Sequence, residues 1–115
     1  MNLKIKKEII MEFLYTCYVD GEEINTNDIN ELPGIFELCS PNDETPALIN
    51  RKLGFSLWCK KGWIWHRENG PAAMFVDGTK VYWYNHRQFR TIQDFLKHHP
   101  NQDETFQKEM LERWG

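Results

Sequence analysis

Residues 66–82 read His66-Arg67-Glu68-Asn69-Gly70-Pro71-Ala72-Ala73-Met74-Phe75-Val76-Asp77-Gly78-Thr79-Lys80-Val81-Tyr82, with Trp65 before and Trp83 after. A polar turn, a short apolar strand, Asp-Gly and an aromatic strand follow one another. Asp-Gly between β-formers signals a two-residue hairpin turn, since that turn needs positive φ at both central positions. The predicted register sets Val76 against Thr79, Met74 against Val81 and Ala72 against Trp83. Strand side chains alternate, so these six share one apolar face, the predicted core. The opposite face carries Ala73, Phe75, Lys80, Tyr82 and Tyr84, large rings beside a cation. Either the C-terminal helices cover that face or it is a binding surface.

A looser copy stands upstream. Asp43-Glu44-Thr45-Pro46-Ala47 matches Glu68-Asn69-Gly70-Pro71-Ala72, and Trp58 matches Trp83, at one offset of 25 residues. Similarity at a fixed period of this size marks a repeat array. On these residues the chain resembles the MORN-like repeat family in its variant form, with a His-Arg-Glu-Asn-Gly-Pro-Ala start, an Asp-Gly-Thr turn and an aromatic strand. That variant is frequent in small proteins of phages and large viruses. The resemblance is close over 66–85 and thinner over 42–65. It departs where Asn85-His86 stands for the family's Asn-Gly, and where Phe89-Arg90 replaces the next His-Arg. It implies a β-hairpin array used mainly for binding. A cytoplasmic phage-type accessory protein that modulates or inhibits a host protein, host-defence inhibition included, is the role that company suggests.

The rest of the chain frames this unit. Tyr15 to Val19 is β-rich and runs into Asp20-Gly21, a second hairpin signal. Ile9, Ile10, Phe13, Leu14 and Cys17 also fit a helical stripe, so the opening element reads either way. After Ile24, Thr26 or Asn27 could cap a short helix ended by Pro33-Gly34. Tyr84-Asn85-His86-Arg87 echoes Val19-Asp20-Gly21-Glu22, turn against turn. Thr91 to Asp94 has capping-box form and opens a helix broken at His98-His99-Pro100. Asn101 with Glu104 starts another, in which Phe106, Met110 and Trp114 recur every four residues. The expectation is a single α+β domain over 1–115: an antiparallel sheet of hairpins, repeat copies at about 42–65 and 66–90, and packed helices in 91–115. If the chain self-associates, the stripe Phe106, Met110, Trp114 is the predicted seam.

Composition narrows the function. Five Trp, four Tyr and seven Phe supply a generous core. No apolar run reaches the ~18–20 residues of a membrane span. Lys4, Lys6 and Lys7 before Ile9 to Leu14 have some look of a signal peptide, but Glu8 and Glu12 interrupt the apolar stretch. Three widely spaced cysteines (Cys17, Cys39, Cys59) make neither a disulfide framework nor a metal pair, and read as reduced thiols. The net charge of −3 hides a division. Asp20 to Glu44 holds eight carboxylates and no Lys or Arg, while Arg51 to Arg90 holds eight basic residues against Glu68 and Asp77. The two segments either screen each other within the fold or present opposite faces to partners.

Chemistry is scarce. His66, Arg67 and Glu68 read as ties to the turn before Gly70-Pro71 rather than as acid-base groups. No spacing suits zinc, and no phosphate loop or nucleophile elbow occurs, so neither enzyme, metal nor cofactor is expected. A protein-binding module is the primary reading, with Asp20, Glu22, Glu23, Asp28, Glu31, Tyr82 and Tyr84 as candidate contacts. The acids would occupy a basic groove on the partner. The alternative is single-strand nucleic-acid binding by the basic aromatic segment 58–90, through Trp63, Trp65, Arg67, Lys80, Arg87 and Arg90. The acidic balance of the whole chain weighs against it.

Overall fold

The structure, a computed structural model, describes residues 12–115. Ile9 and Ile10 of the helical stripe and the signal-like Lys4, Lys6 and Lys7 lie outside them. Seven strands form one antiparallel sheet: β1 (Tyr15–Val19), β2 (Glu22–Thr26), β3 (Leu48–Asn50), β4 (Phe55–Leu57), β7 (Ala73–Phe75), β8 (Lys80–Tyr84) and β9 (Arg87–Phe89), in the order β2-β1-β3-β4-β7-β8-β9. β5 (Cys59–Lys60) and β6 (Ile64–Trp65) make a separate two-stranded ribbon. Two helices, α1 (Ile92–His98) and α2 (Glu104–Trp114), follow β9 and pack on the sheet, giving an α+β fold.

Local chemistry explains the corners. Asp20 (φ 50) and Gly21 (φ 82) close β1 onto β2, with Val19 facing Glu22. Asn85 (φ 47) and His86 (φ 70) close β8 onto β9 in the same way, with Tyr84 facing Arg87. The echo between the two stretches is thus the same two-residue turn. His86 occupies a position that favours glycine, and it is held there by two bonds to Trp65: its N–H donates to the Trp65 carbonyl (2.7 Å) and its Nδ1 accepts the Trp65 N–H (3.3 Å). Thr91 caps α1 through its hydroxyl, which accepts from the Asp94 N–H. The cap of α2 is Asp103, accepting from Thr105 and Phe106, and not Asn101, which instead receives the Asp103 N–H. The expected short helix after Ile24 is a pair of 3-10 turns, Ile29–Glu31 capped by Asp28 and Ile35–Glu37, on either side of Pro33-Gly34.

The β7–β8 hairpin departs from the predicted register by one residue. Ala73 faces Val81 and Met74 faces Lys80. The Gly78 N–H bonds the Phe75 carbonyl, Phe75 N–H bonds the Thr79 carbonyl, and Gly78 has φ +93. This is a three-residue loop, a turn over Val76-Asp77 followed by a left-handed glycine, with the Asp77 carboxylate accepting the Thr79 N–H. A one-residue slip sends side chains to the other face. Met74 therefore shares a face with Lys80 and Tyr82, while Val81 and Trp83 lie on the opposite one. Val76, placed in the core from the sequence, is 87% exposed. Val76→Ser is accordingly expected to change stability by no more than about 0.5 kcal/mol, as for an ordinary surface site. The two-residue register would have made the same change cost several times as much in a urea titration.

Two cores result. On the helix side, Tyr82, Phe89, Ile92, Phe95, Leu96 and Met110 are buried together, with Tyr84, Phe106 and Trp114 against them. The helices thus cover Tyr82 and Tyr84 of the predicted ring-bearing face, while Ala73 and Phe75 lie on the other face, and the stripe Phe106, Met110, Trp114 packs against this core. The other core joins Cys17, Leu38, Ala47 and Cys59, with Leu32 and Trp63 at its edge. Ala47 and Ala72 occupy matching places just before the β3–β4 and β7–β8 hairpins. Each is fully buried; their N–H groups bond Leu57 (2.8 Å) and Val81 (2.9 Å), and their carbonyls accept from Tyr18 (3.0 Å) and Trp58 (2.7 Å).

Candidate functional site

The acidic stretch divides into a neutralised end and an open one. Asp43 and Glu44 lie 3.6 and 3.5 Å from the guanidinium of Arg67, and Glu44 also takes a two-pronged bond from Arg113 (2.6 and 3.3 Å) that holds its carboxyl below the usual range. Asp20 lies 3.5 Å from Lys61. Mutual screening of acids and bases is realised at these three. By contrast, among the described residues no Lys or Arg comes within ion-pair distance of Glu22, Glu23, Asp28, Glu31 or Glu37. Glu23 is tied to Asn25 and Tyr18, and those bonds hold its carboxyl down. Glu31 accepts from Thr26. Glu22 and Glu23 stand on the edge strand, where charge also deters strand addition.

The 3-10 turns place apolar side chains among these acids. Ile29 is 58% exposed, Ile35 46% and Phe36 66%. Turns this short cannot turn every apolar residue inward, and Leu32 and Leu38 take the inward places. The segment is fixed from behind: Phe36 carbonyl accepts the Gly62 N–H, Cys39 N–H bonds the Tyr18 carbonyl, and Ser40 N–H bonds Cys59. Ile29, Ile35, Phe36 and Glu37 were missed from sequence, because acids and apolar residues follow no helical or strand period there.

Arg67 is the second focus, and it is not a surface cation. It is 3% exposed. Its guanidinium lies 4.1 Å from the Trp58 ring and 5.1 Å from the Trp114 ring, and its Nη1 donates to the Pro71 carbonyl. Glu68 ties the neighbourhood together. Asp43 Oδ1 accepts the N–H groups of Glu68 (3.0 Å) and Asn69 (3.1 Å). The Glu68 carboxylate accepts from Tyr84 (3.2 Å), and its carbonyl lies 2.8 Å from His99 Nε2. Trp114 bonds the Asn69 carbonyl and lies so near Gly70 that a Cβ there would meet its ring at 2.9 Å. The polar ties expected around Gly70-Pro71 therefore exist, and they extend to both helices.

His66 Nδ1 accepts the Asn85 N–H (2.9 Å), and Nε2 points toward Glu68 (3.5 Å). Burial, aided by Lys60, pushes its pKa below the ordinary 6.5, because protonation would charge a buried ring and displace the Asn85 bond. With the folded pKa depressed, the unfolded chain binds the extra proton first. The stabilisation is complete above about pH 6.5 and is lost as pH falls through that value toward the lower folded pKa. Thermal melts from pH 8 to 5 are expected to show this decline, and His66→Gln to flatten it.

The remaining sequence candidates scatter. Tyr82 is 4% exposed and Tyr84 half-buried beneath the helices, so neither offers a binding face. Trp63, Trp65, Trp83 and His86 form a run of ring contacts at 5.2–5.8 Å. Lys80 and Arg87, however, face with Tyr82 and Tyr84 on the opposite side of the sheet, and Arg87 lies over Phe89. With Arg67 buried as well, Arg67, Lys80 and Arg87 do not line the tryptophan run, and Arg90 is exposed beyond β9. Burial raises the Cys59 thiol to about 12. Among the described residues no three His, Cys, Asp or Glu side chains converge as metal ligands, and no helix is long and apolar enough to cross a membrane. Comparison with family models, curated sequences and solved structures gives no match.

Proposed function

We propose that the chain is a non-enzymatic protein-binding module. It receives a basic partner on the acid-flanked apolar segment from Glu22 to Glu37. One observation supports this above others: Ile29, Ile35 and Phe36 stand exposed within eight residues, interspersed in sequence with carboxylates that have no basic partner among the described residues. Grouped apolar side chains with a polar rim are the usual composition of an interface. The acids would steer a basic surface toward them and exclude acidic competitors. The resemblance of residues 66–85 to a repeat common in phage proteins supports a host-directed role in the host cytoplasm, with inhibition by occupying a basic groove as its simplest form.

Affinity capture from a lysate of the source cell, with three baits, tests this. The native chain is expected to retain one partner in stoichiometric amount. Phe36→Asp should weaken retention by roughly 30-fold or more, the scale of an interface hot spot. Glu22→Lys with Glu37→Lys should weaken it about tenfold and slow association, as for rim charges. All three baits should melt alike, since these side chains are exposed. Equal retention by all three would remove the proposal.

A further inference from the structure

Leu53 and Val76 stand at the tips of neighbouring hairpins, β3–β4 and β7–β8, where turns ordinarily carry polar residues. Leu53 is 67% exposed, Val76 more so, and Phe75 beside it is 39% exposed. The tips are tied into one unit. Asn50 holds the first turn by accepting the Leu53 and Gly54 N–H groups, and the Gly54 carbonyl accepts the Val76 N–H (2.8 Å). Gly54 has φ +77, and a Cβ there would meet Val76 at 2.9 Å, so glycine is what lets the two tips touch. Phe55 and Phe75 bring their rings to 6.1 Å. Beside them an open groove of about 370 Å³ is lined by Ile49, Arg51, Ser56, Met74 and Val76 among others. Exposed apolar side chains grouped in this way mark a contact surface.

Charge selects the occupant. Arg51, Lys52 and Lys80 flank the tips, against Glu12 and Asp77. Glu12 lies 3.7 Å from Arg51, and Asp77 is engaged with the Thr79 N–H. Among the described residues neither Lys52 nor Lys80 has a carboxylate within ion-pair distance. The Glu22–Glu37 segment is the inverse, with Ile29, Ile35 and Phe36 exposed among acids that lack basic partners there. Each surface offers the charge and the apolar anchors that suit the other. Leu48 packs with Cys17, Leu32 and Leu38, so its neighbour Ile49, aligned with Ser56 and Met74, brings the groove to the opposite sheet face. One copy's tips therefore meet another copy's acidic segment, not their own. We propose that the chain associates head to tail, with the Leu53–Val76 tips of one copy seated on Ile29, Ile35 and Phe36 of the next. The two patches differ, so the contact is heterologous and either extends into a chain of copies or closes into a ring. This inference rests on the reading of residues 22–37 as a docking surface, and a basic partner bound there would displace the neighbouring copy.

Sedimentation velocity of the full-length chain, with no other protein present, tests this. The weight-average coefficient is expected to climb between about 5 and 500 µM, for a small contact with a Kd on the order of 50 µM. Raising NaCl from about 0.05 to 0.5 M should weaken association about fivefold. Val76→Asp, Leu53→Asp and Phe36→Asp should each weaken it by roughly 30-fold. All three should melt like the native chain, because the side chains they replace are exposed. The deciding sample is Val76→Asp mixed with Phe36→Asp in equal amounts. One variant supplies an intact acidic segment and the other intact tips, so the mixture should form a dimer that grows no further. A native chain that stays monomeric throughout, native-like association of either variant alone, or a mixture no more associated than its components would overturn the proposal. None of these results bears on capture of a basic partner, which its own baits decide. Loss of capture beside an intact mixed dimer would instead make the chain itself the occupant of residues 22–37.

Discussion

Arg67→Ala is expected to lower the melting temperature by roughly 10–20 °C, corresponding to about 3–5 kcal/mol for a buried pair broken from one side. The cost has two sources. Asp43, whose side chain is 23% exposed, loses its cation while its Oδ1 remains tied to the Glu68 and Asn69 N–H groups. Trp58 and Trp114 lose the flat group packed between them, and with it the link from the sheet to the end of α2. Glu44 adds little, because it is 60% exposed and keeps Arg113. Arg67→Lys should recover only a small part, since an ammonium cannot lie flat between two rings while reaching Pro71. A melting shift below about 3 °C for Arg67→Ala would mean that the cluster contributes nothing to holding the helices.

Phe95→Ala should cost about as much, 3–5 kcal/mol, by a different route. Phe95 is 1% exposed and touches the rings of Tyr82, Phe89 and His99. Truncation opens a hole at the centre of the layer between α1 and the sheet, and the neighbouring rings are too stiff to fill it. Phe95→Leu, which keeps most of the volume, should cost about 1 kcal/mol. Urea titrations of the two variants distinguish a packed centre from a loose cover. Equal and small losses would mean that the helices only rest on the sheet.

The sequence disclosed elements better than it disclosed faces. Asp20-Gly21 and Asn85-His86 could be matched because a two-residue turn leaves a local signature, and Thr91 because a cap is one side chain bonding three residues away. Asp77-Gly78 misled because the same dipeptide also ends a three-residue loop, and the single-residue difference put Met74 and Val81 on opposite faces. Arg67 read as a tie to the Gly70-Pro71 turn, and only in the nucleic-acid alternative as an exposed cation, but its burial was not legible because it depends on partners remote in the chain. Those partners are Asp43 and Glu44, more than twenty residues upstream. Phe36 and its neighbours left no sign at all, since the exposure of a 3-10 turn is decided by what packs behind it.

Amide hydrogen exchange on the chain, free and bound to its captured partner, examines the binding surface most directly. Protection gained on binding is expected across residues 22–37, with the amides of Trp63, Trp65 and Trp83 and of the two helices unchanged. Protection centred on the tryptophan run or the helices, with 22–37 exchanging as in the free chain, would contradict a docking face built from acids around Ile29, Ile35 and Phe36.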